Sequence, residues 1–287
     1  MRVRHIRDFR DILAGYDDTA NLSRSDWAWE FLRRNGRLQT NAMVHIPGFV
    51  VDECSSCVTR LRLARRDRLA ETWGLLAFPD PNLPARLVDV FWSDRAFPRK
   101  ISVLGRERAT DEADELFDLA VRHCRITHLT DAVGHEHVLI RGRRGTIQIR
   151  YRGLPLFGEQ PIKLDVSLAK VSRLGDQARV LDQARRMIGC DQTGPQAWTR
   201  KGLGLRNALI ALDANGAGLS YRDMAMIFYG EPRVSAAWRS HSTAMKSEMA
   251  RLLAKGRRLR DGGYFGLLHG RSPVSPGRGQ TTKPGSG

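Results

Sequence analysis

Hydrophobic and polar positions change period along this chain, and each change marks a region. Trp27 and Phe31 recur four residues apart behind Ser23 and Asp26. That spacing predicts a short helix with a serine or aspartate cap, and Arg34 falls on the same face. A second helix is predicted over residues 61–73 with its arginines outward. Pro79, Pro81 and Pro84 break the chain into an irregular stretch. Short extended pieces follow at Phe91 and Trp92 and over 98–104. A helix is predicted over 111–122 with Leu116, Leu119 and Ala120 inward.

From about Ile126 the period falls to two. An apolar run at 137–140, a turn Arg141-Gly-Arg-Arg-Gly145 and the strict alternation of 146–151 predict a β-hairpin. Ile162, Leu164 and Val166 alternate as a third strand. The helical period then returns over 176–188, 205–212, 221–229 and 242–259. Ser220 and Asp223 form a capping-box-like start for the third of these helices, with Tyr221, Met224, Ala225 and Phe228 as its buried stripe. Gly230 ends it, and Glu231-Pro232 reads as a stop. In the last helix Met245, Met249, Leu252, Leu253, Gly256 and Leu259 share the inner face. Thr243, Ser247, Ala250, Arg251, Ala254 and Arg258 share the outer one, flanked by Lys246 and Arg257.

Composition narrows the class. Of 287 residues 41% are hydrophobic and 27% charged, which excludes wholesale disorder. No apolar run approaches the length of a membrane span, and residues 1–16 lack the apolar core of a secretory signal. A cytoplasmic, nucleoid-associated location is expected, with no membrane partner. The balance of 47 Lys plus Arg against 31 Asp plus Glu gives +16, a field that attracts polyanions and points to nucleic acid. Between Arg233 and Arg271 only Glu248 and Asp261 oppose the basic residues. A second basic cluster spans Arg60, Arg62, Arg65, Arg66 and Arg68. An acidic one, from Glu107 to Asp118, reads as an exposed helix face.

Two short helices, a break and a basic helix make a helix-turn-helix variant over 203–260, its 230–242 connection longer than the usual tight turn. A helix entering the major groove needs short polar side chains near its start and Arg or Lys for guanine and phosphate. The candidate DNA-binding residues are therefore Arg239, Ser240, Thr243, Lys246, Ser247, Arg251 and Arg258.

Other constellations carry less. Cys54-Ser-Ser-Cys57 could complete a zinc site only with distant groups such as His123, Cys124 or Cys190, so free cysteines are expected. His135, Glu136 and His137 precede a strand on which neighbours diverge. Gly202-Leu-Gly204 lacks the Gly-Lys-Ser/Thr of a phosphate loop. With no paired acid and base or activated nucleophile, neither an enzyme, a metal nor a cofactor is expected.

The run Leu219-Ser-Tyr-Arg-Asp-Met-Ala225, with Phe228-Tyr-Gly230, Val234, Trp238-Arg239-Ser240, Gly262-Gly263-Tyr264 and Leu267-Leu268, resembles a known DNA-binding domain. It is that of the RovC-type activators of type VI secretion and of the excision activators and antiactivators of rhizobial integrative and conjugative elements. The likeness covers about 132–269. Asp26-Trp-Ala-Trp-Glu-Phe-Leu-Arg-Arg-Asn35, Trp73-Gly-Leu75, Asp80-Pro-Asn-Leu-Pro84 and Phe91-Trp92 resemble the small N-terminal domain of the excision activators. Gly36-Arg37-Leu38 departs from that pattern, and 40–57 matches nothing in it.

The resemblance implies an α+β fold: a small helical N-terminal domain, then a short β-hairpin or sheet packed with a C-terminal helix-turn-helix variant. The expected divisions are a loosely docked lead-in at 1–20, an N-terminal regulator-like domain at 21–105 and a connecting helix at 106–125. A DNA-binding domain at 126–270 follows, with its hairpin region at 126–170 and helices at 176–268, and a disordered tail at 271–287. The implied function is a sequence-specific transcriptional activator of mobile-element excision and transfer or of secretion genes. The alternative is an antiactivator-like protein that sequesters another regulator. Implied partners are double-stranded promoter or operator DNA, further copies of the chain as a homo-oligomer, and a protein antiactivator or RNA polymerase. The helix around Trp27 and Phe31 is the expected oligomer contact.

Overall fold

The structure is a computed structural model that describes residues 9–45, 48–54, 58–98, 100–112, 115–167, 174–188, 197–239 and 243–270. The predicted tail, Ser240, Cys57 and Cys190 lie outside these residues. The fold is α+β, with a seven-stranded sheet beside a helical body.

The sheet runs β1 (Phe49–Cys54), β2 (Val58–Leu63), β4 (Arg125–Thr130), β5 (Glu136–Gly142), β6 (Gly145–Gly153), β3 (Ile101–Glu107) and β7 (Ile162–Ser167) in spatial order. The β2–β4 and β3–β6 pairs are parallel and the rest antiparallel. The predicted hairpin is β5–β6, closed by the two-residue turn Arg143-Arg144, after which Gly145 opens β6 at φ +117. Alternation sets its two faces. Val138, Ile140, Ile147 and Ile149 pack under α5 (Glu115–His123) and α6 (Leu174–Ile188), where Ala120, Ala184 and Met187 complete the core. Leu139 faces the opposite way, with Leu129 and Phe91.

Two expectations change here. The sheet is larger than the predicted hairpin and third strand, because 49–63 and 101–107 contribute β1, β2 and β3. The expected third strand is β7, which pairs with β3, and β3 in turn pairs with β6. Residues 61–73 are not one helix. Val58–Leu63 is a strand, and a separate short α4 (Arg68–Thr72) starts where the Asp67 carboxylate accepts from the Ala70 N–H at 2.9 Å.

The helical body comprises α1 (Phe9–Ala14), a 3-10 turn (Asp17–Asn21), α2 (Arg24–Leu32), α3 (Gly36–Val44), α7 (Arg200–Gly216), α8 (Tyr221–Tyr229), α9 (Glu231–Arg239), α10 (Ala244–Arg258) and α11 (Tyr264–His269). One core joins both ends of the chain: Trp29, Phe31, Leu32 and Trp92 pack in the same cluster as Leu209, Met224, Met249 and Leu268. Ser23 caps α2 in a full capping box with Asp26. Trp27 is 4% exposed and Phe31 fully buried, so this helix is core and unavailable as an oligomer contact. The lead-in is also docked where it is described. α1 packs on α8, and the Tyr16 hydroxyl donates to Asp213 at 2.7 Å. Arg34 locks α2 to α7 by donating to Glu30 at 2.8 Å and to Asp213 at 2.5 Å.

Gln148 ties the sheet to the helical body. Its amide donates to the Trp92 carbonyl at 2.9 Å and accepts from the Trp92 N–H at 3.0 Å. No described helix is long and apolar enough to cross a membrane.

Candidate nucleic-acid interface

The local sequence builds this surface one helix at a time. Thr199 caps α7 by accepting from the Gly202 N–H at 2.9 Å. At the start of α8 the Asp223 N–H donates to Ser220 Oγ at 3.2 Å, and the Ser220 N–H donates to Asp223 Oδ2 at 3.0 Å. This is the predicted capping box. Met224, Ala225 and Ile227 are buried, with Tyr221 and Phe228 half-buried beside them. Gly230 closes α8 at φ +77, a conformation that disfavours any side chain.

The chain then departs from expectation. Glu231-Pro232 does not stop the helical structure but begins α9, with proline in the first turn, where its missing N–H costs nothing. Only Gly230 separates α8 from α9, so the 230–242 connection is mostly helix. Val234 is fully buried and anchors α9. The Arg222 guanidinium donates to Ser235 Oγ at 3.2 Å, and that of Arg233 stacks 5.0 Å over the Tyr229 ring. Burial and then the neighbouring Glu248 push the Tyr229 hydroxyl up to about 12.

α10 follows the predicted faces. Met249, Leu253, Gly256 and Leu259 are buried, and Met245 and Leu252 are half-buried against the same core. Gly256 is required there: a Cβ would stand 2.6 Å from the Ala208 carbonyl oxygen, so α10 crosses α7 in backbone contact. Thr243, Lys246, Ser247, Arg251, Ala254, Arg257 and Arg258 are exposed. Arg257 is held by Asn215 at 2.8 Å.

Of the sequence-predicted site residues, Thr243, Lys246, Ser247, Arg251 and Arg258 therefore share one surface of α10. Thr243 is the N-cap residue, with no side-chain cap bond. Arg239 stands apart, exposed at the end of α9 and donating to the Ser235 carbonyl at 3.2 Å. Ser240 lies outside the described residues.

Spacing missed several cations. Arg222 and Arg233 sit on α8 and α9. Lys255 donates to the Gly204 carbonyl at 2.8 Å, which draws it toward the start of α7 and Lys201. Burial, then Arg258 and Lys201, lower the Lys255 pKa, and burial followed by Arg24 lowers that of Lys201. Like charges thus gather from α10 across α7 to the start of α2. Among the described residues of 200–270 no large hydrophobic side chain is exposed, and the carboxylate closest to α10's end, Asp261, is taken by Arg260 at 2.7 Å.

Among the described residues no cluster of histidine, cysteine or carboxylate side chains is arranged to hold a metal ion, and Cys124 is a buried free thiol. His137 is buried and faces Asp131 at 3.5 Å.

Two family models match the chain. Residues 163–269 match the RovC DNA-binding domain, described as a T6SS transcription factor DNA-binding domain. Residues 12–79 match the proteobacterial transcriptional regulator-like domain. No curated protein matches it.

Proposed function

We propose that this chain, which joins a proteobacterial transcriptional regulator-like domain to a T6SS transcription factor DNA-binding domain, activates transcription by binding a specific promoter site in double-stranded DNA. The coarser statement stands on the family matches: it is a DNA-binding transcriptional regulator. The observation that carries the finer one is the outward face of α10, where Lys246, Ser247, Arg251 and Arg258 are exposed and no large hydrophobic side chain is exposed among the described residues of that helix. A sequestering antiactivator would present hydrophobic anchors on these helices, and none is exposed among the described residues of 200–270.

In this reading Lys246 and Ser247, in the first turn of α10, meet base edges, while Arg251 and Arg258 further along hold phosphates. A second arrangement is favoured by the one-residue turn between α8 and α9. There α9 enters the groove with Arg233 and Arg239, and α10 grips only the backbone. The genes controlled are those of element excision and transfer or of secretion, and the chain acts as a homo-oligomer on paired half-sites.

The test is fluorescence anisotropy with duplexes from upstream of neighbouring genes, each against random duplex. Lys246→Ala or Ser247→Ala should cost about 1–3 kcal/mol on the specific duplex and little on random DNA. If Arg233→Ala and Arg239→Ala carry that selective loss instead, α9 is the reading helix. Absence of any specific complex with intact protein would overturn the DNA reading.

A further inference from the structure

The exposed large hydrophobic side chains are unevenly placed. None lies among the described residues of 200–270, whereas five of the ten in the described residues fall between 43 and 69: Met43, Val44, Val50, Val51 and Leu69. Met43 is 72% and Val44 76% exposed, at the end of α3. Apolar surface gathered in one stretch marks a place where another molecule docks.

α3 and α4 run side by side in opposite senses. At one end the His45 ring, at the C-cap of α3, meets Asp67, the N-cap of α4, at 2.8 Å. At the other, Arg37, Thr40 and Asn41 of α3 and Trp73 at the C-cap of α4 line a hollow of about 320 Å³. Spacing explains both walls. Arg37, Thr40, Asn41 and Val44 recur at i, i+3, i+4 and i+7, opposite the buried Leu38. Leu69, Thr72 and Trp73 recur at i, i+3 and i+4, with Ala70 turned into the core. The groove between the walls therefore has an apolar end, at Val44 and Leu69, and a polar end around Trp73.

Its free charge has one sign. Arg37 and Arg68 are exposed, and neither guanidinium has a partner among the described residues. The carboxylates of the two helices and their caps are engaged, Asp67 by His45 and Glu71 by Arg66, each at 2.8 Å. Thr40 and Thr72 turn their hydroxyls back to the Gly36 and Leu69 carbonyls, at 3.0 and 2.7 Å. Trp73 Nε1 is buried without a hydrogen-bond partner, an orphan donor beside the hollow.

We propose that this groove receives an acidic amphipathic helix of another protein. Two antiparallel helices with exposed facing sides seat a third, whose apolar residues at i, i+3, i+4 and i+7 lie along the groove. Met43, Val44 and Leu69 meet those anchors. Arg37 and Arg68, at opposite ends, meet carboxylates on its flanks and set its direction. Tryptophan and arginine are among the side chains that dominate such contacts. A DNA backbone would use the two cations and gain nothing from Met43, Val44 or Leu69. The groove lies within 12–79, the segment that matches the transcriptional regulator-like domain, and α10 lies within the DNA-binding match. The binding claim is independent of the DNA reading.

The experiment is titration of the full chain, without DNA, with a fluorescein-labelled helical peptide of about 14 residues. The peptide carries Leu or Phe at i, i+3, i+4 and i+7 and Asp or Glu at most other positions. Anisotropy should show saturable one-to-one binding. Replacing its acids by Lys, or its apolar anchors by Ser, should each weaken binding at least about tenfold. Arg37→Glu and Val44→Asp, both at exposed positions that leave the core intact, should each weaken it to a similar extent. Arg143→Glu, the same charge change in the exposed β5–β6 turn, should leave it within about twofold. Absence of saturable binding, both by this peptide and by a pool in which its four anchors vary, would overturn the proposal. So would full binding by the Ser peptide, since charge alone would then suffice, or equal affinity in wild type, Arg37→Glu and Val44→Asp. Weakened random-duplex binding in Arg37→Glu with unchanged peptide affinity would make the surface a phosphate track instead. Self-association in light scattering that Val44→Asp abolishes, without peptide binding, would assign the face to a second copy of the chain.

Discussion

The sheet and the α8–α10 surface use charge in opposite ways. On the sheet side, cations are gathered onto a few carboxylates, three of which take two each. Asp89 takes Arg141 at 2.8 Å and Arg125 at 3.2 Å. Glu112 takes Arg106 and Lys163, each at 2.6 Å, and Asp165 takes Arg106 at 2.9 Å. Asp94 holds the buried Lys100 at 2.9 Å and Arg150 at 2.7 Å. On α10, by contrast, Lys246, Arg251 and Arg258 have no ion pair among the described residues. The net charge of +16 is thus not a uniform coat. The sheet side holds much of its charge on Asp89, Asp94, Glu112 and Asp165, and the acidic run from Glu107 to Asp118 supplies Glu112. On α10 the charges of Lys246, Arg251 and Arg258 are left open to solvent.

The contrast predicts where acid acts first. Burial, then the nearby Arg60, pushes the His128 pKa down to about 4; Glu136 faces the same ring nitrogen at 3.6 Å. Burial, then Lys100, pushes His137 down to about 4, against the opposing pull of Asp94 and Asp131. Both are strand residues of the sheet. The folded state therefore binds fewer protons than the unfolded state between the ordinary histidine value of about 6.5 and about 4. Stability is full above that window and falls as pH drops through it, by several kcal/mol for the pair on this scale. Denaturant midpoints at pH 7, 5.5 and 4 should decline, and His128→Gln or His137→Gln should each flatten the decline. An unchanged midpoint across the window would show that these rings are solvated.

The next largest effect belongs to the seam between the first and last thirds of the chain. Arg34 is 17% exposed, and its partner Glu30 is 5% exposed. Arg34→Ala leaves the Glu30 carboxylate with Arg33 as its one guanidinium partner, at 2.8 Å, and Asp213 with the Tyr16 hydroxyl at 2.7 Å. The expected cost is about 3 kcal/mol by urea unfolding, at the lower end for a broken buried pair because Asp213 is partly solvated. A cost near zero would mean that the shared core alone holds α2 against α7.

How much of this was legible in sequence follows the range of each interaction. The Ser220–Asp223 capping box, the α8 stripe and both faces of α10 depend on residues within a few turns, and they read directly from spacing. The β5–β6 hairpin did too, because two glycines and strict alternation specify it locally. α9 was hidden by the reading of Pro232 as a terminator, although the same residue favours the first turn of a new helix. β2 was hidden because Leu61 and Leu63 alternate with Arg60 and Arg62 over only a few positions, and its parallel partner β4 lies 60–70 residues away. The burial of Trp27 and Phe31 under α7 and α11, and the anchoring of Tyr16 by Asp213, join residues nearly 200 positions apart. No local pattern announces such contacts. Of the candidate site, the α10 residues were legible, whereas the place of Arg233 and the contact of Arg222 with Ser235 needed α9 to be recognised as a helix.

The smallest stability effect carries the sharpest test of the contrast. Arg251 is exposed on α10 with no ion pair among the described residues, so Arg251→Ala should change unfolding free energy by less than about 0.5 kcal/mol. If that charge is held for a phosphate, the same variant should lower the slope of log affinity against log salt by about one unit, on specific and random duplexes alike. Arg141 gives the reciprocal case. It is 12% exposed, bound to Asp89 at 2.8 Å and to the Arg86 carbonyl at 2.6 Å. Arg141→Ala should cost about 2–3 kcal/mol of stability, as loss of charged buried hydrogen bonds does, while leaving the salt slope of the surviving folded protein unchanged. Measured together, the two substitutions separate a cation that holds the fold from one that meets DNA. Equal salt slopes for Arg251→Ala and wild type would place the phosphate contacts elsewhere, on α9 or around Lys201, and would leave the charge of α10 without its assigned partner.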